Sequence, residues 1–172
     1  MNENKIEKQI FSYPLIFRLI LKFGNLVVTF FLIVYSIPLV VFLDQNNILI
    51  IPIVVSLFII YFINRYYFNL YKILPYKITA DADKITCSNF FLSNKVVIIH
   101  YEDIESLSGG IFNNRISGVM KICDSKNGVC IGFYHKLTNS NKLATIILSK
   151  VKRTLYDEVL EKLISKNKNT KK

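Results

Sequence analysis

No residue from Phe23 to Leu43 carries a charge at neutral pH. Twenty-one consecutive residues without Asp, Glu, Lys, Arg or His exclude an ordinary surface helix, which needs a polar stripe. Catalytic and ligand-binding signatures are also missing. There is no G-x-x-x-x-G-K-[ST], no H-E-x-x-H and no G-x-S-x-G. The three cysteines, Cys87, Cys123 and Cys130, show no C-x-x-C spacing. An odd count without that spacing is neither a disulfide framework nor a zinc pattern. It suits three free thiols in a reducing compartment. Only two histidines are present, His100 and His135, and neither has a neighbouring ligand set for a metal. No cofactor is expected, and an enzyme has no residue to stand on.

What is present is apolar and basic. The 172 residues are 52% hydrophobic with a formal charge of +10. The two properties are separated along the chain. From Asn64 onward 18 Lys and Arg face 9 Asp and Glu. Ahead of that lie two apolar runs, "FGNLVVTFFLIVYSIPLVVFL" over 23–43 and "ILIIPIVVSLFIIYFI" over 48–63, the second extended by "NRYYF". A membrane span takes about 20 apolar residues. The first run meets this alone. The second does so if Arg65 snorkels and Tyr66 and Tyr67 lie among headgroups. Pro38 and Pro52 are tolerated in such helices. Residues 23–68 therefore read as two spans, about 23–43 and 47–67, joined by the turn "DQNN".

Charge sets the direction. Lys5, Lys8, Arg18 and Lys22 precede the first run, and Arg65, Lys72 and Lys77 follow the second. Lys and Arg stay on the cytoplasmic side. The reading is an integral inner-membrane protein with both termini cytoplasmic and residues 44–47 external. Residues 1–22 form a cytoplasmic or interfacial segment, with 6–23 as an interfacial lead-in or an extension of the first span, and Pro14 at its start.

After Leu74 the apolar period shortens to two. "YKITADADKITCS", 76–88, reads as strand, turn, strand, and "NKVVIIHYEDIESLS", 94–108, as strand broken at Tyr101–Asp103. "GGIFNN" is a loop. In "SGVMKICDSKNGVCIGFYH", Asn127-Gly128 favours a two-residue type I′ turn. That register sets Ile122 opposite Phe133 and Asp124 opposite Ile131. It buries Met120, Ile122, Val129, Ile131 and Phe133. A turn at Lys126-Asn127 would instead oppose Cys123 and Cys130, still as free thiols. A helix then starts near Thr138, Asn139 or Ser140 and carries one apolar stripe from Leu143 to Ile164, with a possible break near Lys150. Residues 166–172 read as a disordered basic tail.

The segments "YKITADADKITC", "IIHYEDIESL", "NRISGVMKI", "GVCIGF" and "LATIILSKVKRTLYDEVLEKL" together resemble the bacterial pleckstrin-homology (PH)-like domain family. The resemblance covers roughly 70–165, and a helical hairpin ahead of it is the usual arrangement. The fold class expected is thus a membrane α-helical hairpin plus an α+β domain at 72–165. That domain would be a PH-like, partly open β-barrel or sandwich capped by a C-terminal amphipathic helix. PH domains of the classical kind bind phosphoinositides through a basic loop between their first two strands. Taken as that loop here, "DAD" at 81–83 is acidic and argues against the activity.

The carboxylates Glu102, Asp103 and Glu105 read as an exposed polar edge, since no nucleophile accompanies them. The basic excess suits anionic lipid better than nucleic acid, which would want interleaved aromatics on a basic face. Candidate lipid contacts are Arg65, Lys72, Lys77, Lys150, Lys152 and Arg153. The expected function is a non-enzymatic, membrane-anchored binding or scaffold protein. Its partners would be membrane lipids and a further protein or its own copies, with no nucleic acid and no small-molecule substrate. The alternative is a subunit of an oligomeric transport or channel assembly. Only Asn25, Thr29, Ser36 and Ser56 would offer polar groups to such a path.

Overall fold

The computed structural model describes residues 8–91, 93–113, 115 and 118–169, with side chains up to 164. The chain divides into two compact units. One is the segment Leu15–Lys72, and the other combines Met1–Pro14 with Ile73–Lys172.

The first unit is a pair of helices, α1 (Leu15–Val41) and α2 (Ile50–Ile73). The last residue of α2 already belongs to the second unit. A short 3-10 turn at Asn47–Leu49 leads into α2, and the Asn46 side chain accepts from the Ile48 amide. With that turn, both helical stretches run 27 residues, and each contains 18 consecutive residues with a mean hydropathy of 2.2 in the first and 2.4 in the second. Each is long and apolar enough to span a membrane. α1 begins directly after Pro14, so the interfacial lead-in is the first two turns of one continuous helix. The physical reason is composition: Leu15 to Lys22 holds strong helix formers with no breaker.

Among the described residues the second unit holds seven strands in two antiparallel sheets. β1 (Gln9–Ser12), β2 (Pro75–Ala80), β3 (Lys84–Phe90) and β4 (Val97–His100) form the first, in that order. β5 (Ser106–Ser108), β6 (Val119–Asp124) and β7 (Val129–Tyr134) form the second. A 3-10 turn at Tyr101–Asp103 marks the predicted break, and another at Gly110–Asn113 occupies the predicted loop. Period-two alternation builds the core. Ile78, Ile85, Cys87 and Ile99 point inward from the first sheet. Leu107, Met120, Ile122, Ile131 and Phe133 do so from the second. Two helices complete the unit, α3 (Ser140–Lys150) and α4 (Arg153–Asn169), burying Leu143, Ile147, Leu155 and Val159.

Several expectations change. Residues 9–12 were assigned to a segment beside the membrane; they are strand β1, with Phe11 beside Ile78 and Ser12 beside Lys77. Phe11 and Tyr13 are buried, and the Tyr13 hydroxyl accepts from the Tyr134 amide at 2.8 Å. The turn 81–83 therefore joins the second and third strands. The first two strands are joined through the helical pair, so the acidic "DAD" is not the loop that argues for or against phosphoinositides.

The β6–β7 register is not that of an Asn127-Gly128 turn but that of the alternative, with Lys126 and Asn127 central and the Gly128 amide donating to the Ser125 carbonyl. Asp124 opposes Val129 and Ile122 opposes Ile131, across a four-residue turn at 125–128. The Asp124 carboxylate sets this turn by accepting from the Asn127 amide at 3.1 Å and from its side chain at 2.6 Å. That Asx interaction outweighs the two-residue preference of Asn-Gly. Because the slip is by two residues, the inward face is kept, although Val129 is only half-buried. The same register opposes Cys123 and Cys130 at a Cα separation of 4.2 Å, and they form a disulfide where free thiols were expected. Cys87 is the free cysteine, and burial pushes its thiol pKa up.

The closing helix breaks beside Lys150, as the sequence allowed, and is two helices. Val151 is extended and ends α3, and the Lys152 carbonyl accepts from Leu155 and Tyr156 to open α4. Asn139 begins α3 in the left-handed region without a side-chain cap. α4 continues to Asn169, so residues 166–169 are helical and not a disordered tail; residues 170–172 lie outside the described residues.

Candidate functional site

Inside the helical pair the polar groups find one another. Asn64 donates to Thr29 Oγ1 at 2.9 Å and to the Ile60 carbonyl at 2.9 Å. Asn25 donates to Asn64 Oδ1 at 3.0 Å, and the Tyr71 hydroxyl lies 2.8 Å from Asn25 Oδ1. This ladder ties α1 to α2. It was missed because Asn64 and Tyr71 fall beyond the second apolar run. Ser36 and Ser56 hydroxyls donate to carbonyls of their own helices, those of Leu32 and Pro52, both at 2.8 Å. The four polar residues that a transport path would use are thus engaged within the pair. Beside them, Ile33, Ile37 and Val40 face Ile53, Leu57 and Ile60 across an apolar groove.

In the β unit the six acids between Leu74 and Lys152 gather at one end. Asp81 and Asp83 sit in the β2–β3 turn. The Asp83 carbonyl accepts from the Tyr101 amide, which brings Glu102 and Asp103 alongside. Lys126 pairs with Asp103 at 3.1 Å, and the Glu105 amide donates to the Cys123 carbonyl, adding Glu105 and Asp124. The Asn127 side chain holds the Asp124 carboxyl below its usual range. The Asp103 carboxylate raises the pKa of Lys126. Burial, with Asp81 and Asp83 nearby, pushes the Tyr101 hydroxyl up to about 12.

Lys150 closes this end. Its ammonium donates to the Asp81 carbonyl at 3.0 Å and to that of Ala82, and it lies 4.9 Å from the Tyr101 ring centre. Asp83, His100, Tyr101, Glu102 and Lys150 line an open cleft of about 440 Å³. Among the described residues no group of three His, Cys, Asp or Glu could hold a metal ion. At the bend between α3 and α4, Leu148, Val151, Arg153 and Tyr156 line a second cleft of about 520 Å³.

Two of the six predicted lipid contacts lie in the helical unit and four in the β unit, where Lys77 stands at the opposite end from Lys150, Lys152 and Arg153. Arg65 and Lys72 are exposed on α2, where Arg65 donates to the Tyr61 hydroxyl at 2.7 Å. In the β unit, Lys77 is half-buried on β2 beside Ser12 and Ser88. Lys150 is committed to the acidic turn. Exposed Lys152 and Arg153 follow it in sequence, at the same end as the acids. Lys95, Arg115 and Lys136, exposed at the other end of the β unit, were not singled out. Their grouping appears only once the strands are ordered.

Compared with protein-family models, curated proteins and solved structures, the chain finds no match.

Proposed function

We propose that this chain is a membrane-anchored, non-enzymatic binding module. The carrying observation is the surface of the helical pair. Phe30, Phe31, Phe58 and Phe62 are each about 60% exposed, among many exposed Leu, Ile and Val. A water-facing surface of that kind is far beyond what soluble monomers display, whereas lipid covers it without cost. The β unit, in contrast, closes its own core and carries charge outside. In this reading it lies in the cytoplasm, with the 44–47 turn on the far face, because Lys and Arg flank the hairpin on the β-unit side. The Cys123–Cys130 disulfide pulls the other way, since disulfides are rare in reducing compartments. The charge rule carries the assignment, and the cysteine pair is then one that cytoplasmic thiols can reduce.

The PH-like reading is supported by the four-plus-three strand plan closed by C-terminal helices. It must accommodate a first strand that precedes the helical pair. In this reading the unit's work is contact: with the bilayer surface, with a partner protein or with other copies. Extraction tests the anchor. Membranes carrying the chain are expected to retain it through an alkaline wash and lose it to detergent; release by the wash would contradict anchoring.

A further inference from the structure

The β unit is electrically sorted along its strands, and the sorting names a surface. β1, β3, β5 and β7 end, and β2, β4 and β6 begin, at the end where the chain leaves the unit at Pro14 and Ile73. All six carboxylates between Leu74 and Lys152 sit at the opposite end. Three cations there are engaged, Lys126 with Asp103, Lys150 with the 81–82 carbonyls and Lys8 with Asp81 at 3.9 Å, while Lys84, Lys152 and Arg153 stand at the same end. At the exit end stand Lys77, Lys95, Arg115 and Lys136, the last three exposed, with Val96 57% exposed beside Lys95. Among the described residues the strands, turns and loops at that end carry no carboxylate; α4, which packs on the 110–113 turn there, carries Asp157, Glu158 and Glu161, of which Glu158 pairs with Lys162.

Resting on the anchored reading above, we propose that this basic end is a docking surface for an anionic lipid bilayer. Both connections to the apolar helices leave from it, so the chain itself holds it near headgroups at high effective concentration. Each Lys or Arg brought to an anionic leaflet strengthens binding by about fivefold, from roughly 1 kcal/mol per charge. The acids at the opposite end are repelled by the same field, which orients the unit. The docking residues are therefore Lys77, Lys95, Arg115 and Lys136, with Val96 as the apolar contact. Lys150, Lys152 and Arg153 face away.

The test uses the full chain in bilayer discs of phosphatidylcholine, with or without phosphatidylglycerol, and reads amide hydrogen exchange. Segments 93–97 and 134–138 should exchange more slowly in the anionic discs, by about fivefold or more. Molar salt, where the screening length falls to about 3 Å, should abolish the difference. Replacing Lys95, Arg115 and Lys136 together with Gln should also abolish it. Unchanged exchange at 81–83 and 101–105 would show that the variant remains folded. Equal exchange in both discs, or protection at the acidic end instead, overturns the docking surface. A chain that stays in the bilayer through an alkaline wash but shows no lipid dependence overturns this inference alone; a chain that washes out overturns the anchored reading with it.

Discussion

Phe11→Ala is expected to destabilise the β unit by about 3–5 kcal/mol, the range for emptying a buried Phe site. Phe11 is 2% exposed and sits beside Ile78, which is fully buried. The substitution removes an aromatic ring from the core and leaves a space that strand β1, at a sheet edge, fills poorly. Denaturation of the detergent-solubilised chain, followed by exchange at β2 and β3 amides, measures it. An effect below about 0.5 kcal/mol, the size of an ordinary surface change, would mean that residues 9–12 do not belong to the sheet. The same logic warns against cutting the chain at Ile73 to study the β unit. Such a fragment would lose β1, the buried Tyr13 and the hydrogen bond from the Tyr134 amide.

Gly109→Ala should be comparably damaging, for a different reason. Gly109 has φ of +76°, and an added Cβ would lie 2.1 Å from the Val119 carbonyl oxygen. That oxygen is backbone in β6 and cannot swing aside. A left-handed residue costs about 1–2 kcal/mol and a core clash about 1–3 more, so the expected loss is about 2–5 kcal/mol. Gly128→Ala is the control. Gly128 has φ of +61° but nothing within 4 Å of the added atom, so only the conformational cost of about 1–2 kcal/mol applies. Paired thermal melts should place Gly109→Ala well below Gly128→Ala. Equal melts would contradict the close approach of the Gly109 segment to β6.

The sequence shows some of this directly and hides the rest for identifiable reasons. The β2–β3 hairpin and the break at Tyr101–Asp103 were legible because alternation of apolar residues survives in strands with one wet face. The apolar helices were legible from length alone. β1 was not, because its four residues stand directly before a long apolar run and their partner strand arrives only after two helices. The β6–β7 register was misjudged because Asn127-Gly128 is a strong local turn signal, while the competing one comes from Asp124, three residues earlier than Asn127. The alternative turn at Lys126-Asn127 does oppose Cys123 and Cys130, but as thiols, and the structure bonds them.

The functional surfaces were hidden more deeply. Lys150 looks like any basic residue near a helix end, yet its ammonium belongs to the turn at Asp81 and Ala82. Asp81 and Glu102 are distant in sequence and become neighbours only because β3 and β4 form one hairpin. A count of charges, +10 overall, predicts affinity for anions without saying where. The strand order supplies the place, by sending every acidic turn to one end and leaving the other end basic.

The arrangement of hairpin and β unit about the bilayer is the central claim, and side-specific labelling tests it most directly. One cysteine is introduced at Gln45, in the turn between α1 and α2, and another at Lys136, in the β unit, each in a chain with Cys87, Cys123 and Cys130 replaced by Ser. Intact cells are treated with a membrane-impermeant maleimide. The account predicts labelling of Gln45→Cys in intact cells and of Lys136→Cys only after permeabilisation. Labelling of Lys136→Cys in intact cells with Gln45→Cys protected would invert the topology, and labelling of both from one side would show that the helices do not cross.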